Sequence, residues 1–227
     1  WERGRNRGIN NDSFDEFQIN SHGLHLEIAK FSRGWTATKA DLVITPSEHL
    51  SKVVQNWGVN PKNLRVIYNG TNLSNEIVKR KNEENKIKLI TVGRLAPWKN
   101  IDSIIHAMSI LKKSGIDLLL YIVGSGPLEK ELKEQVIDLQ MTDEIIFTGQ
   151  KNKDELKEYY LNSDIYIQAS GYEGLPHVLL EAINYDLNII STPIGGSNEI
   201  LKDGENGFVL ELINGKKPDP KNLNEIV

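Results

Sequence analysis

The sequence predicts an α/β protein: a Rossmann-like parallel sheet, doubly wound, with helices on both faces. Three observations predict it. Short β-branched runs alternate with amphipathic stretches long enough to serve as crossover helices. One run, Leu118–Val123, is apolar almost throughout, as in a strand buried on both faces. No internal repeat, heptad run or low-complexity tract offers a competing architecture.

The elements follow in order. Residues 1 to about 35 mix Arg-Asn-Arg-Gly with sparse hydrophobics and give no clear period. Ala40–Thr45 reads as a strand, ended by Pro46 and followed by Ser47, a good N-cap. From Glu48 to Trp57, Leu50, Val53, Val54 and Trp57 fall at i, i+3, i+4 and i+7, one apolar helical stripe, and Gly58 ends it. Leu64–Tyr68 is the next strand, stopped by Asn69-Gly70, which completes a βαβ unit. An Asn-, Glu- and Lys-rich stretch then lacks any apolar period and reads as a linker. Beyond it the alternation is cleaner. Strands are expected at Lys88–Val92, Leu118–Val123, Ile145–Thr148, Ile165–Ile167, Asn188–Ser191 and Phe208–Val209. Helices are expected at Asp102–Ser114, Leu128–Leu139, Asp154–Asn162 and from about Pro176. The expected layout is residues 1–72 as the end of one α/β domain, 73–87 as a linker, and 88–227 as most of a second.

Composition narrows the function classes. Of 227 residues 39% are hydrophobic and 26% charged, a globular balance. A net charge of −4 is unlike a nucleic-acid polycation. The absence of Cys excludes a disulfide framework, a thiolate zinc site and a cysteine nucleophile. No apolar run approaches the roughly 20 residues needed to cross a bilayer, and no signal-peptide pattern is present. A soluble cytoplasmic protein is expected. The sequence starts at Trp1 rather than Met and stops at Val227 in a polar stretch like the start of a helix, so pieces missing at both ends are also expected.

In an open parallel sheet ligands sit beyond the carboxyl ends of the strands, and four loops there have unusual composition. Gly93-Arg94-Leu95-Ala96-Pro97-Trp98-Lys99 puts two cations on one loop, which suits a diphosphate or, equally, a solvated surface. Val123-Gly124-Ser125-Gly126-Pro127 enters a helix and allows either close approach of a ligand to an anion-favouring helix start or a plain turn. It is neither a full G-x-G-x-x-G nor a Walker loop. Ala169–Ala182 is the most informative. Pro176 suits a first helical turn, the amides after it face outward, Glu173 stands just ahead, and Glu181 lies inside an apolar helix where it needs a polar partner. That partner is either a ligand hydroxyl or nearby backbone. Thr192–Glu199 carries Gly195-Gly196 and reads as a tight loop close to something, or as packing alone. His177 reads as a first-turn polar residue. His22, His25, His49 and His106 show no metal-ligand spacing, so no metal is assigned.

Together these elements resemble the retaining glycosyltransferases of family 4, the "group 1" family with the two-domain GT-B fold. The matching residues are Val92-Gly93-Arg94-Leu95 with Lys99, then Ile122–Pro127, then Phe147-Thr148-Gly149. They continue with Tyr172-Glu173-Gly174-Leu175-Pro176 to Glu181, the family's Glu-x7-Glu signature. Pro193-Ile194-Gly195-Gly196 through Glu199 and Asp203–Gly207 complete the set. These elements in order are far more specific than any one, and the likeness covers about 60 to 210. Trp1–Gly8 and Ala40–Ser47 look like the close of the family's acceptor domain, most of which is absent here. One departure is Tyr185-Asp186-Leu187-Asn188, which lacks the usual Gly and reads as a variant turn that Asp and Asn tolerate.

The resemblance implies a nucleotide-sugar donor site in the second domain. Arg94 and Lys99 would hold the diphosphate and stabilise the leaving group. Glu173 would contact sugar hydroxyls near the anomeric carbon, and Glu181 the ribose hydroxyls. Gly149, Gln150 and Lys151 would face the nucleobase, while Gly93, Val123 and Gly124 would line the pocket. Gly174, Leu175 and Pro176 would also bind the substrate, and the two cations with the helix start at Val178-Leu179 would stand in for a metal, so that no cofactor is expected. The implied activity is retaining, metal-independent transfer of a hexosyl unit from a UDP-, GDP- or ADP-linked donor to a glycan or lipid-linked saccharide. The implied setting is cytoplasmic, with peripheral membrane association left open because only Arg3, Arg5 and Arg7 remain of a basic patch. Two alternatives stand beside it: a fragment that binds nucleotide sugar without acting on it, and, further behind, a sugar-nucleotide 2-epimerase.

Overall fold

A computed structural model describes residues 14–71, 86–213 and 217–220. The Trp1–Gly8 segment with Arg3, Arg5 and Arg7, nearly all of the expected linker, and the stretch ending at Val227 lie outside the described residues. The chain divides into two compact units. The first comprises Trp1–Asn69 with Tyr172–Leu175 and Ile194–Ile200, and the second comprises Gly70–Gly171, Pro176–Pro193 and Leu201–Val227.

In the first unit, α1 (Phe14–Ile19) and α2 (Leu24–Thr38) precede β1 (Val43–Thr45), α3 (Glu48–Asn56) and β2 (Leu64–Val66). The strands pair in parallel, Val43 opposite Leu64 and Thr45 opposite Val66, as the βαβ reading requires. Ser47, in an extended conformation, accepts the N–H of Leu50 at 3.2 Å and so starts α3 as expected. The α3 stripe buries Val53 and Val54, and Val54 packs with Val59, Leu64 and Trp57. From residue 14 onward, the region without a legible period is mostly helical. Within α2, Gly34 leaves room for the Trp57 carbonyl, 3.2 Å from where a Cβ would stand, and the Arg33 guanidinium lies 3.8 Å from the Trp57 ring centroid.

The second unit alternates β3 (Ile87–Val92), α4 (Ile101–Lys113), β4 (Leu118–Val123), α5 (Glu129–Asp138), β5 (Ile145–Gly149), α6 (Lys153–Leu161), β6 (Ile165–Gln168), α7 (His177–Asn184), β7 (Asn188–Ser191) and β8 (Phe208–Val209). A small antiparallel pair, β9 (Leu212–Ile213) with β10 (Lys217–Pro218), follows and has no counterpart in the sequence reading. The six main strands form one parallel sheet in the order β5-β4-β3-β6-β7-β8. Winding runs outward from β3 to β5, then restarts at β6 on the other side. The topological switch point therefore lies between β3 and β6, where an open α/β sheet places its ligand crevice.

Register assigns the faces. Leu89 stands opposite Leu120, and Ile167 opposite Ile190. These four pack with Ile104, Ile105 and Met108 of α4 and with Leu132 and Val136 of α5 in one core. Each such side chain, fully withdrawn from water, contributes roughly 1.5–3 kcal/mol. On the opposite face Tyr121 meets Tyr159 of α6 edge-on at 5.3 Å. Tyr160 of α6 stacks on Tyr185, the residue that closes α7, at 5.3 Å. Asp186, in the turn that lacks the usual Gly, takes the left-handed conformation at φ 56°.

Candidate functional site

The loops leaving β3, β4 and β5 are laced together by main-chain bonds. Gly93 N–H donates to Val123 O at 2.9 Å, Leu95 N–H to Ser125 O at 3.0 Å, and Leu128 N–H to Leu95 O at 3.1 Å. Gly124 N–H donates to Gly149 O at 2.9 Å. This lacing explains the Gly-x-Gly. Gly124 has φ 134°, and a Cβ there would sit 1.9 Å from Gly93 O. At Gly126 a Cβ would lie 2.4 Å from Leu95 O. The glycines admit the neighbouring backbone on their Cβ sides, and the close approach that the sequence reading offered to a ligand is made there by protein.

Beyond the lacing opens a hollow of about 600 Å³, within the range of small-molecule sites. It brings together Gly93, Arg94, Val123, Gly124, Gln150 and Lys151 among the residues singled out from sequence. Lys99 reaches the same loop from a 3₁₀ turn over Pro97–Lys99, its Nζ 3.4 Å from where a Cβ of Gly93 would be. Its mount is firm. Asn100, in the left-handed conformation, donates from Nδ2 to Ala169 O at 2.8 Å, and Gly171 N–H donates to Trp98 O at 2.6 Å. The loops after β3 and β6, on either side of the switch point, are thereby tied together. Lys151 precedes a capping box in which Asn152 and Glu155 satisfy each other's backbone N–H groups at the start of α6.

α7 begins at His177, with Pro176 as its extended N-cap, one residue earlier than the first-turn position read from sequence. Its first intrahelical bonds run from Leu179 and Leu180 to Pro176 O, so the amides of His177 and Val178 stand ahead of the ladder. Glu181 faces a second hollow of about 330 Å³, with His177, Tyr160 and Lys157, and Leu156 borders both hollows. Its carboxylate accepts the Tyr160 hydroxyl at 3.1 Å, which supplies the polar partner that an apolar helix demands. Burial, with the nearby Tyr166 and Glu181, drives the Tyr160 hydroxyl far above its ordinary pKa.

Glu173, Gly174 and Leu175 belong to the first unit. There Gly195, at φ 51°, would place a Cβ 1.7 Å from Glu173 O, and Gly196 N–H donates to Gly174 O at 2.8 Å. Asn69 Nδ2 donates to Leu175 O at 2.8 Å. The Gly195-Gly196 pair thus passes close to the Glu173 loop itself. Burial, and then the adjoining Glu173, pushes the Tyr172 hydroxyl up to about 12, with Arg33 opposing. Two features escaped the sequence reading. The switch point requires the strand order, and membership of residues 172–175 in the first unit is purely tertiary. Among the described residues no cluster of His, Asp or Glu could hold a metal ion, and no helix is long and apolar enough to cross a membrane.

Residues 74–219 match the family model described as "Glycosyl transferases group 1", and residues 16–75 match "Glycosyltransferase Family 4". Over 192 residues the chain is 30% identical to the N-acetylgalactosamine-N,N'-diacetylbacillosaminyl-diphospho-undecaprenol 4-alpha-N-acetylgalactosaminyltransferase of Campylobacter jejuni, covering 82% of this chain and 51% of that one. It is 34% identical over 182 residues to an uncharacterized glycosyltransferase of Methanocaldococcus jannaschii, covering 76% and 46%. Among solved structures, Anabaena HepE in complex with UDP and glucose superposes with a TM-score of 0.73 at 20% identity, over 86% of this chain and 56% of that one. The pneumococcal O-GlcNAc transferase GtfA, in complex with UDP and GlcNAc, gives 0.68 at 25% identity, over 80% and 36%. The chain spans about half the length of the curated relatives it matches.

Proposed function

The chain belongs to the group 1 glycosyl transferase family, and we propose that the whole protein is a retaining, metal-independent glycosyltransferase that moves a hexosyl unit from a nucleotide-diphosphate sugar to a glycan or lipid-linked acceptor. The observation that carries this reading is the hollow at the β3, β4 and β5 strand ends, with Arg94 on its wall and Lys99 folded across Gly93. A guanidinium offers a planar fork and an ammonium a compact charge, and together they complement a diphosphate without a divalent ion.

Glycosyl transfer breaks the bond between the anomeric carbon and the diphosphate oxygen. That oxygen takes the electron pair while the sugar becomes oxocarbenium-like. Fixed cations lower the barrier because negative charge grows on the leaving group. With retention, the acceptor hydroxyl attacks from the face the diphosphate leaves, and its proton passes to the departing phosphate oxygen. Arg94 and Lys99 are assigned to the diphosphate, assisted by the helix start at Pro176, Val178 and Leu179. Gly149, Gln150 and Lys151 are assigned to the base, and Gly93, Val123 and Gly124 to the wall beside it. Glu181 is assigned to the ribose. Glu173, with Gly174 and Leu175, is assigned to sugar hydroxyls near the reacting carbon. The pneumococcal relative's UDP complex and the undecaprenol-linked substrate in the Campylobacter relative's name favour a UDP donor and a lipid-linked acceptor. The setting we assign is cytoplasmic, at the inner face of a membrane that holds such an acceptor.

The test has two arms. A thermal-shift and calorimetry panel of UDP, GDP, ADP and their sugars should raise the melting temperature with at least one, because a ligand at about 100 times its Kd adds about 2.7 kcal/mol to the native state. Arg94→Ala and Lys99→Ala should each weaken that ligand, and a panel without any shift would remove the donor site. In the full-length protein, Glu173→Ala or Lys99→Ala should cut turnover by orders of magnitude. Unchanged rates in both would remove the transferase reading.

A further inference from the structure

Glu199 lies outside every role assigned so far. Its Oε1 accepts the N–H of His49 at 2.8 Å, and its Oε2 accepts the N–H of Glu48 at 2.9 Å and the hydroxyl of Tyr68 at 2.8 Å. Burial pushes its carboxyl up, but the bonds from His49, Glu48 and Tyr68 outweigh that and hold it below the ordinary carboxylate value. Glu48 and His49 open α3, whose next amide, Leu50 N–H, is taken by Ser47. One carboxylate, distant in sequence, therefore satisfies the two helix-start donors that the local cap leaves. Water would satisfy those donors as well, so the remote partner is not needed for the helix to form.

What the bridge fixes is the other end. Glu199 closes the 3₁₀ turn Gly195–Glu199, whose first two residues clasp the main chain of Glu173 and Gly174. Tyr68 and Asn69 strengthen the clasp from one place, Tyr68 holding Glu199 and Asn69 holding Leu175 O. Leu50, in the first turn of α3, packs against the same loop, its Cδ1 2.9 Å from where a Cβ of Gly174 would be.

We propose that Glu199 is a positioning residue for Glu173: by bridging the start of α3 and Tyr68 it sets the turn against which the Glu173–Gly174 backbone is held. The catalytic consequence rests on the reading that Glu173 acts on the donor sugar, whereas the clasp itself does not.

Glu199→Gln keeps shape and volume but turns an NH2 group towards N–H or O–H donors. Hydrogen exchange on the chain should then speed at the amides of residues 172–175 and at Gly196 by about tenfold or more, the scale for losing a charge-assisted bond. Tyr68→Phe should act in the same direction and less. Ser47→Ala, which removes the local cap of the same helix, should leave exchange at 172–175 unchanged. In the full-length protein, Glu199→Gln should lower kcat by up to about a hundredfold, the scale of a misplaced catalytic group, with donor KM nearly unchanged. Unchanged exchange at 172–175 in Glu199→Gln would overturn the proposal, as would an equal rise in Ser47→Ala. Faster exchange with undiminished kcat, where Glu173→Ala is inactive, would overturn the positioning role. If Glu173→Ala keeps full turnover, the sugar-contact reading fails, and the exchange measurements still decide the clasp.

Discussion

Replacing Gly124 by Ala asks two things of the second unit at once. The residue must hold φ 134° with a side chain, and the Gly93 carbonyl oxygen must retreat from 1.9 Å to beyond the 3.0 Å that real Cβ contacts respect, a shift of at least 1.1 Å. The two demands can be separated by neighbours in the same unit. Gly115 has φ 84° with nothing within 4 Å, so Gly115→Ala meets only the backbone penalty, about 1–2 kcal/mol. Gly126→Ala meets only the collision, 2.4 Å from Leu95 O, for which overpacking data give about 1–3 kcal/mol. Gly124→Ala should approach the sum, about 2–5 kcal/mol, and lower the melting temperature by roughly 5–15 °C for a unit of this size. Urea unfolding of the three variants, beside calorimetric titration with the tightest nucleotide, makes the measurement. Because the oxygen that must move belongs to the residue before Arg94, nucleotide affinity should fall in Gly124→Ala and stay intact in Gly115→Ala. Equal destabilisation in these two variants would refute the reasoning, since it would mean that the loop yields at no cost.

Gly195→Ala should lower turnover of the full-length protein and leave nucleotide affinity unchanged, because the carbonyl it displaces, 1.7 Å from the new Cβ, is that of Glu173; parallel kinetics and calorimetry check both halves. Tyr160→Phe removes the hydroxyl that Glu181 accepts at 3.1 Å, which should destabilise by about 1–3 kcal/mol in urea unfolding. Tyr172 predicts a pH effect. Its hydroxyl ionises near 10 when unfolded and about 12 when folded, so its stabilising contribution is whole below pH 10 and is lost as pH rises to about 12. Stability measured across that window should fall less steeply in Tyr172→Phe, and identical slopes would contradict the assignment.

The elements most legible in the sequence are those whose burial is dictated along the chain. The apolar run Leu118–Val123 and the i, i+3, i+4, i+7 stripe of α3 need no knowledge of their partners to be recognised. α2 was illegible for the opposite reason. Its N-cap, Gly23, makes no side-chain hydrogen bond, and it contains Gly34, whose presence is explained only by the Trp57 carbonyl beside it. The candidate site divides in the same way. Arg94 and Lys99 declare themselves as cations on a strand-end loop; Arg94 lines the hollow with Gly93, and Lys99 lies against Gly93. Gly124 and Gly195 declare only that something comes close. Composition could not say that this something is Gly93 in one case and Glu173 in the other, because each partner arrives from a different strand end. Glu199 reads in sequence as the tail of a loop motif, while its acceptor role depends on amides about 150 positions earlier.

The same device therefore occurs in both units, and each time it acts on the main chain beneath a charged side chain. A glycine with positive φ meets a carbonyl at Gly93, immediately before Arg94, and another meets the carbonyl of Glu173 itself. Clamping the backbone fixes where a charge is mounted. A ligand that arrives and departs as a polyanion requires such an arrangement, because the loop's ordering entropy is then spent in folding rather than at each binding event. It also accounts for where glycine is indispensable. Gly115 and Gly204 have positive φ with open space around them and serve turns alone. Gly124 and Gly195 combine positive φ with a carbonyl under 2 Å from any Cβ, and they stand beside the residues to which the chemistry is assigned.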